Sequence, residues 1–306
     1  MKTMKKRNEF TLKHAKQDDC NFISEMIDYS NKNIKAELGY PRCDDLEELL
    51  AEIEVYENLL EESICIIYHN EKPIAIGGFL YTPGESDGYL IGPIVLEKYY
   101  QKSNIIKMID LMLNSKKNLL ADIRTVVSER NSLLHESLLE NAWIYSERIR
   151  EMRFDLENIK RSPVKYEITE VDVTGSVHID TIFKLFDKTF GWKGDFEKME
   201  ELLGDSNKVA CIADKTNSII GVVAWSYLDD TNFSRLEYVA VEENQRRKGI
   251  GENLINHVIN DGINNKMKHI YLSTDIDNNA ADLYGKIGFY DTIVSKVYKK
   301  RLSNNT

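Results

Sequence analysis

Two glycines follow a run of basic residues in the second half of the sequence, directly after a predicted strand that ends at Val241. The run reads Arg246-Arg247-Lys248-Gly249-Ile250-Gly251 and leads into an amphipathic stretch that predicts a helix. Glycine in a helix costs up to about 1 kcal/mol relative to alanine, so two glycines at a helix start need another reason. Backbone amides that glycine leaves uncovered, next to three basic side chains, would bind an anion such as a phosphate. A solvated basic turn is the alternative interpretation.

Two common nucleotide-binding fingerprints do not fit this run. The sequence lacks G-x-x-x-x-G-K-[ST] here, and Leu254 occupies the third glycine position of a dinucleotide-binding loop.

A second conspicuous segment follows a predicted strand at residues 269–274. It reads Asn278-Asn279-Ala280-Ala281-Asp282-Leu283-Tyr284-Gly285-Lys286-Ile287-Gly288-Phe289.

Together these two segments resemble the GNAT superfamily of acetyl-CoA-dependent N-acetyltransferases. The first is similar to the family's [Q/R]-x-x-G-x-[G/A] pyrophosphate loop, and the second to its N…A…LY-x-K-x-G-F segment; the resemblance spans roughly residues 164–301. The family asparagine usually lies seven residues before the tyrosine, where this sequence has Asp277. Asp277, Asn278 and Asn279 therefore all stay candidates for contact with the cofactor.

The resemblance implies acetyl-CoA as the cofactor and assigns roles to particular residues. Tyr284 would be the acid that protonates the CoA thiolate, unless it is only a core tyrosine. Backbone groups of Val239 and Val241 would hold the pantetheine arm and polarise the thioester carbonyl. The implied cofactor-binding residues are Val239, Ala240, Val241, Arg246, Arg247, Lys248, Gly249, Ile250, Gly251, Asn278, Asn279, Ala281, Tyr284 and Lys286.

Acetylation also requires a neutral amine, and an amine with a pKa near 10 is only about 0.1% neutral at pH 7. Glu237 is the best candidate base, directly or through water, and strand alternation predicts that it shares a face with Val239 and Val241. A solvated glutamate at the strand edge is the alternative. By the same resemblance, Trp192 and Asp195 lie where an acceptor-binding loop is expected. The sequence contains no cluster that predicts a metal site.

The sequence therefore predicts transfer of the acetyl group of acetyl-CoA to a primary amine of a small molecule, directly in a ternary complex. One alternative is an acyltransferase for a protein or peptide amine, or for a longer acyl group. The other is a non-catalytic acyl-CoA-binding sensor.

The fold class predicted is α/β (α+β, GNAT-like) with two similar domains, each a central, mostly antiparallel mixed sheet flanked by helices. A polar segment ending at Pro163 predicts a linker at 158–164, between domains 1–157 and 165–306. A spacing of 146 residues separates Trp143 from Phe289 and also Val95 from Val241, as a duplication would give.

At this spacing the first half has lost the residues of the site. Arg246, Gly249, Gly251 and Tyr284 correspond to Tyr100, Ser103, Ile105 and Leu138. We therefore expect the first domain to keep the fold without the catalysis, and to shape the acceptor site or a dimer contact.

Composition narrows the class of protein further. A net charge of −10 over 306 residues disfavours bulk nucleic-acid binding, which needs a basic surface. The sequence has no long apolar run and four scattered cysteines, so we expect a cytoplasmic protein with reduced thiols and no membrane partner. A monomer and a homodimer both remain open.

Overall fold

The computed structural model describes residues 10–171, 179–191, 207–227, 232–276 and 280–302. The chain forms two compact units. The N unit runs to Arg150 and includes the chain from Ile293 onward, whereas the C unit is Glu151–Thr292. The first boundary lies before the linker predicted at 158–164, and the segment from Ile293 onward belongs to the N unit, whereas the prediction placed it in the second domain.

Within its described residues the N unit contains five α-helices and most of the strands of the chain. Its helices are α1 Cys20–Lys32, α2 Leu46–Val55, α3 Leu60–Ser63, α4 Lys102–Lys116 and α5 Ser132–Glu140. Its strands are β1 Phe10–His14, β2 Leu38–Tyr40, β3 Ile64–His69, β4 Lys72–Leu80, β5 Asp87–Val95 and β6 Asp122–Ser128, followed by β7 Ile144–Asp155, which continues into the C unit.

The sheet of the N unit has the order β1-β3-β4-β5-β6, and the final strand of the chain, β13 Tyr290–Arg301, lies beside β6. Strands β6 and β13 are antiparallel, with Val126 opposite Val297 and Thr125 opposite Tyr298. Tyr298 is buried in the N-unit core, and its hydroxyl lies 2.9 Å from Nδ1 of His135. The C-terminal strand is therefore an integral part of the first unit.

The C unit begins with the end of β7 and contains three described helices and five further strands. The strands are β8 Thr169–Glu170, β9 Asn207–Ala213, β10 Ile219–Tyr227, β11 Phe233–Val241 and β12 His269–Asp275; the helices are α6 Ile179–Phe190, α7 Ile250–Asn264 and α8 Ala280–Ile287. The sheet order is β7-β12-β11-β10-β9-β8. All described pairings from β8 to β11 are antiparallel, and β11 pairs with β12 in parallel. The predicted fold class is confirmed.

Local sequence explains the hairpin in the middle of this sheet. The carboxylate of Asp214 accepts hydrogen bonds from the backbone N–H groups of Thr216 (2.8 Å) and Ser218 (3.1 Å), which closes the turn between β9 and β10. Strand β10 is a continuous apolar run because both of its faces are covered. Trp225 packs with α7 on one face, and Val222 packs with α6 on the other.

Helices α4 and α7 show that the two units repeat one pattern. Adding the predicted spacing of 146 residues to Met108 gives Leu254, which is also buried. The same holds for all the remaining buried residues of α4 after Ile105, each of which corresponds to a buried residue of α7. The helix starts do not keep this spacing, since α4 begins at Lys102 and α7 only at Ile250. The loop before α7 is therefore two residues longer than its counterpart in the N unit.

Candidate active site

Strands β11 and β12 define a gap in the C-unit sheet. In the described part of the chain their parallel ladder joins Phe233 to His269 and ends where Arg235 lies opposite Tyr271. Strand β11 nevertheless continues to Val241 and β12 to Asp275. The edge of β11 after Arg235 thus offers backbone N–H and C=O groups that an extended ligand could bind as an added strand.

A β-bulge lies at the start of this edge. Ala224 pairs with Tyr238 and Trp225 with Leu236, so Glu237 is the extra residue of the bulge. The bulge interrupts strand alternation, and consequently Leu236 joins Val239 in the core beside α7. The predicted alternation of Glu237 with Val239 and Val241 therefore does not hold across this point.

The carboxylate of Glu237 has a hydrogen-bond donor on the neighbouring strand. Oγ of Ser226, a buried residue of β10, donates to Oε1 of Glu237 over 2.7 Å. Ser226 is itself held in place, because its backbone oxygen accepts a hydrogen bond from Oγ of Ser234 at 2.9 Å. This contact fixes the direction of the carboxylate at the bulge.

The basic loop before α7 has a backbone suited to anions. Gly249 is the N-cap of α7 with φ = 83°, and Arg247 has φ = 63°, while Lys248 between them lies outside the positive-φ region. Alternation of this kind turns successive N–H groups toward one side and forms an anion-binding concavity. The first amides of α7 also have no partner within the helix, and its dipole favours negative charge there.

Three contacts hold the loop from outside. The Tyr166 hydroxyl donates to the backbone oxygen of Lys248 (2.9 Å), and Nδ2 of Asn253 donates to that of Gly249 (2.8 Å). Nε of Arg246 donates to the backbone oxygen of Val241 (3.2 Å), which ties the loop to the end of β11. Because the carbonyl groups of Lys248 and Gly249 are held in this way, the loop is preformed.

The two glycines of the motif have different structural roles. A Cβ atom at Gly249 would meet no heavy atom closer than Nδ2 of Asn253 at 3.8 Å, so that position faces open space. A Cβ atom at Gly251 would lie 3.2 Å from Cδ2 of Leu283 and 3.7 Å from Cγ2 of Val241. Gly251 therefore lets α7 approach α8 and β11 closely.

Tyr284 lies on α8 against the same core. Its ring makes an edge contact with Phe289 at 5.8 Å between centroids. Loss of solvation on burial raises the pKa of its hydroxyl to about 12, so the group stays protonated at neutral pH. Among the described residues the hydroxyl has no hydrogen-bond partner, which leaves its proton available to a ligand.

Some predicted residues lie elsewhere or outside the described residues. Ala240 is buried in the core beside α6, and Ala281 packs against the core beside α7. Ile250 is buried as the first residue of α7, whereas Lys286 is exposed near the end of α8. Trp192, Asp195, Asp277, Asn278 and Asn279 lie outside the described residues.

The N unit has a comparable gap, and its own chain fills it. Strands β5 and β6 are parallel from Asp87 opposite Asp122 to Tyr89 opposite Arg124, and beyond that point β2 pairs with β6. A Cβ atom at Gly39 of β2 would lie 2.7 Å from the carbonyl carbon of Val126, so only glycine fits there. Strand β2 thus takes the position beside β6 that an added ligand strand would need.

A buried carboxylate anchors β2 at its start. Glu37 is 5% exposed and accepts hydrogen bonds from Oγ of Ser128 (2.5 Å) and Nε of Arg130 (2.9 Å). The residues of the N unit that correspond to the site residues Arg246 and Tyr284 have structural contacts instead. Tyr100 donates to Oδ1 of Asn131, and Leu138 is fully buried.

The described residues place limits on other kinds of site. They contain no group of three or more His, Cys, Asp or Glu side chains that could hold a metal ion. Within the same ranges, no helix is both long enough and apolar enough to cross a membrane. All four cysteines are free thiols, and Cys43, Cys65 and Cys211 are buried.

These features define a class of protein: a mixed α/β fold with a gap beside a bulged strand and a preformed anion-binding loop at the end of that strand. The sequence model of the acetyltransferase (GNAT) family matches residues 179–289, which contain the bulge, the loop and Tyr284. The predicted resemblance to the GNAT family is thus confirmed over residues 179–289 of the chain.

Solved structures share the fold over nearly the whole chain. A GCN5-related N-acetyltransferase from Sphaerobacter thermophilus has a TM-score of 0.71 at 14% identity, covering 97% of each chain. A tandem GNAT protein from the clavulanic acid biosynthesis pathway has a TM-score of 0.58 at 11% identity, covering 97% of this chain and 100% of that one. A putative acetyltransferase from Pyrococcus horikoshii has a TM-score of 0.56 at 12% identity, covering 99% and 92%. No curated protein matches the sequence.

Sequence analysis missed the residues that support the loop and the bulge. Ser226 gives no local signal, because its contact with Glu237 depends on strand register. A signal did exist for Asn253, Asn256 and Asn260, which are polar residues spaced along an otherwise apolar helix. Such residues in a packed helix indicate hydrogen bonds to another segment, and here Asn253 bonds the N–H of Lys165 while Asn260 bonds Ser162.

Proposed function

We propose that the C unit transfers the acetyl group of acetyl-CoA to a primary amine of a small molecule, directly in a ternary complex. The observation that carries the proposal is the uncovered edge of β11 after Arg235, which leads to a preformed anion-binding loop at Gly249. An extended thioester with a diphosphate at one end requires this combination of a strand edge and an anion site. In the N unit β2 lies beside β6 in the comparable gap, and Ser103 stands at the position that corresponds to Gly249.

On the donor side, backbone groups of Val239 and Val241 would hold the pantetheine arm by strand addition. Arg246 to Gly251 would bind the pyrophosphate through main-chain amides and basic side chains. The thioester carbonyl would then lie near the bulge, where β11 leaves β12 and an N–H group of the strand can polarise it.

On the acceptor side, the amine nitrogen forms a bond to the carbonyl carbon while the carbon–sulfur bond breaks. Glu237 takes the proton that the ammonium group must lose, directly or through water. The leaving thiolate takes the proton of Tyr284, and the second proton, which the nitrogen loses as the amide forms, returns to Tyr284. The raised pKa of Tyr284 supports this role, because the hydroxyl still carries its proton at neutral pH and has no described partner to release first.

Two alternatives share the donor site. An acyltransferase for a protein amine or a longer acyl group would differ only in the acceptor or acyl pocket, and a non-catalytic acyl-CoA sensor would need no acid. The available proton of Tyr284 favours an enzyme, since a sensor has no use for a protonated hydroxyl that is half-buried without a described hydrogen bond.

The experiment uses the full chain and separates binding from chemistry. Calorimetry measures the affinity for CoA and acetyl-CoA, and thiol release measures turnover with amines, amino acids, polyamines and aminoglycosides. We expect Tyr284→Phe to keep the affinity and lose most of the turnover, about 10²-fold or more for a general acid. Tyr145→Phe, at a tyrosine of the N unit that is 48% exposed, is the matched control and should change neither.

Three outcomes would contradict parts of the proposal. No association with CoA or its thioesters would remove the donor site altogether. Binding without turnover for every amine tested would favour the sensor. Full turnover in Tyr284→Phe would remove the assigned acid while leaving the acyltransferase itself in place.

A further inference from the structure

The β-bulge at Glu237 brings two neighbouring side chains of β11 to one face of the C-unit sheet. Tyr238 packs against the buried cluster beneath α6, to which Ala224 of β10 also belongs. The Glu237 carboxylate reaches the same face, because its donor Ser226 lies two residues after Ala224 and alternate residues of a strand share a face. In a regular strand the two side chains would point to opposite faces. The bulge therefore sets an aromatic ring beside the carboxylate of the proposed base.

Helix α6 adds a second aromatic ring to this face. Phe190 is the last residue of α6, and its ring centroid lies 5.3 Å from that of Tyr238 at an interplanar angle of 64°. Phe186, one turn earlier, is fully buried, and its centroid lies 5.9 Å from each of the other two. It fixes both rings from the buried side. We call the rings of Tyr238 and Phe190 the aromatic wall.

The aromatic wall is only partly covered by the protein. Phe190 is 39% exposed and Tyr238 is half-buried. Helix α6 stops at the wall, since the Gly191 N–H donates to the Asp187 oxygen over 2.7 Å and Gly191 has φ = 70°. Among the described residues, a Cβ atom at Gly191 would meet no heavy atom within 4 Å. Open space therefore adjoins the wall where the helix ends.

An ion pair holds the two elements of the wall together. Nζ of Lys188 on α6 lies 2.8 Å from Oε2 of Glu242, the residue that follows β11. The pair joins the end of the helix to the end of the strand, so both rings keep their places. It also neutralises the charge of Lys188, which would otherwise repel an ammonium group near Phe190.

We propose that Tyr238 and Phe190 select the acceptor, and that the C unit prefers primary monoamines that carry an aromatic group. The inference rests on the proposed function, because it names the substrate class of the same site. The ammonium group lies between the Glu237 carboxylate and the ring of Tyr238, where charge attraction and a cation–π contact act together. The aromatic group of the amine covers the exposed part of Phe190 and gains by leaving water.

The same wall disfavours strongly hydrophilic acceptors. A polyamine or an aminoglycoside brings further ammonium or hydroxyl groups against the two rings. Such groups lose hydration there without gaining a hydrogen bond from an aromatic ring, which opposes their binding. Selection therefore acts on the part of the amine that does not react.

The test compares 3-phenylpropylamine with propylamine, which lacks only the phenyl group and has an amino group of similar basicity. With the full chain and acetyl-CoA, we expect kcat/KM to be about 10–100-fold higher for 3-phenylpropylamine. Phe190→Ala should lower kcat/KM about fivefold for 3-phenylpropylamine and leave that for propylamine unchanged. Tyr238→Leu should lower kcat/KM for both amines about threefold, because both lose the cation–π contact.

Neither variant should change the affinity for CoA, which calorimetry measures. The matched control is Leu139→Ala, which removes an apolar side chain that is 54% exposed near the end of a helix of the N unit. It should change neither kcat/KM value. Calorimetry on the CoA-saturated protein gives a second readout that needs no turnover, and 3-phenylpropylamine should bind more tightly than propylamine.

The other outcomes separate this inference from the proposed function. Equal kcat/KM for the two amines, or a higher value for spermidine or kanamycin, overturns the inference while acetyl transfer stands. An equal loss for both amines in Phe190→Ala means that the ring supports the fold and not the acceptor, and also overturns it. Tighter binding of 3-phenylpropylamine without acetylation of any amine supports the wall and contradicts the proposed function. If no amine binds and none is acetylated, both are wrong.

Discussion

Gly249 has a left-handed backbone, and we therefore expect substitutions there to affect the stability of the fold and the affinity for the ligand to different extents. A Cβ atom at this position meets nothing within 3.8 Å, so the cost of a substitution comes from φ = 83° alone. For alanine this cost is about 1–2 kcal/mol, and asparagine adopts the same region far more readily. We therefore expect Gly249→Ala to lower the free energy of unfolding by that amount and Gly249→Asn by much less.

Both substitutions place a Cβ atom on the side where the loop amides would meet a diphosphate. The affinity for CoA should therefore fall in both variants, about tenfold or more, although only Gly249→Ala loses much stability. Thermal unfolding reports the first effect as a Tm lower by roughly 3–6 °C, and calorimetry with CoA reports the second.

A matched control exists on α8. Gly285 lies within that helix and a Cβ atom there would meet nothing within 4 Å, so Gly285→Ala should raise the stability by about 0.5–1 kcal/mol. If Gly249→Ala behaves like Gly285→Ala, the argument from backbone strain is wrong. If either Gly249 variant binds CoA as tightly as the unchanged protein, the loop is not the diphosphate site.

Four further predictions follow from single contacts. Ser226→Ala removes a donor to the Glu237 carboxylate, so the acidic limb of the rate profile should move to higher pH; an unshifted limb would mean that Glu237 is not the base. Glu37→Ala leaves buried donors beside β2 without an acceptor, so the free energy of unfolding measured with urea should fall by about 2–4 kcal/mol. The conservative variant Glu37→Gln should show only part of this loss. Deleting Ile293–Thr306 removes β13 and should abolish cooperative unfolding of the N unit by circular dichroism, whereas deleting only 303–306 should not. Because the pKa of Tyr284 is raised in the folded protein, the unfolded chain loses that proton first, and stability should fall from about pH 10 to about pH 12; Tyr284→Phe should lack this component.

Local patterns in the sequence predicted the parts of the fold that depend on local interactions. Helix α7 follows from the spacing of its apolar residues, and the β9–β10 hairpin from two apolar runs around Asp214. The anion-binding loop was predictable because glycine reports an unusual backbone, and Gly249 indeed has a positive φ. The repeat of 146 residues was visible because buried positions must keep their spacing when a fold is duplicated.

Details of the site depended on contacts between distant segments. Glu237 was a candidate from its place on a strand, but the bulge and its contact with Ser226 come from the register between β10 and β11. A cavity of the C unit beside Gly249 required the segment at Ser162 to pack on α7. No property of the residues at Ser162 or Ser226 alone specifies which side chain they contact.

The sequence by itself predicted the apolar face of α7, the turn at Asp214 and the unusual backbone at Gly249. Tertiary structure alone decided that β13 completes the first unit and that β2 lies in the gap beside β6. The physical reason is that apolar alternation fixes the face a strand buries but not the neighbour with which it pairs. Any strand edge with a matching register can accept another strand, and the packing of the complete fold decides which edge it pairs with.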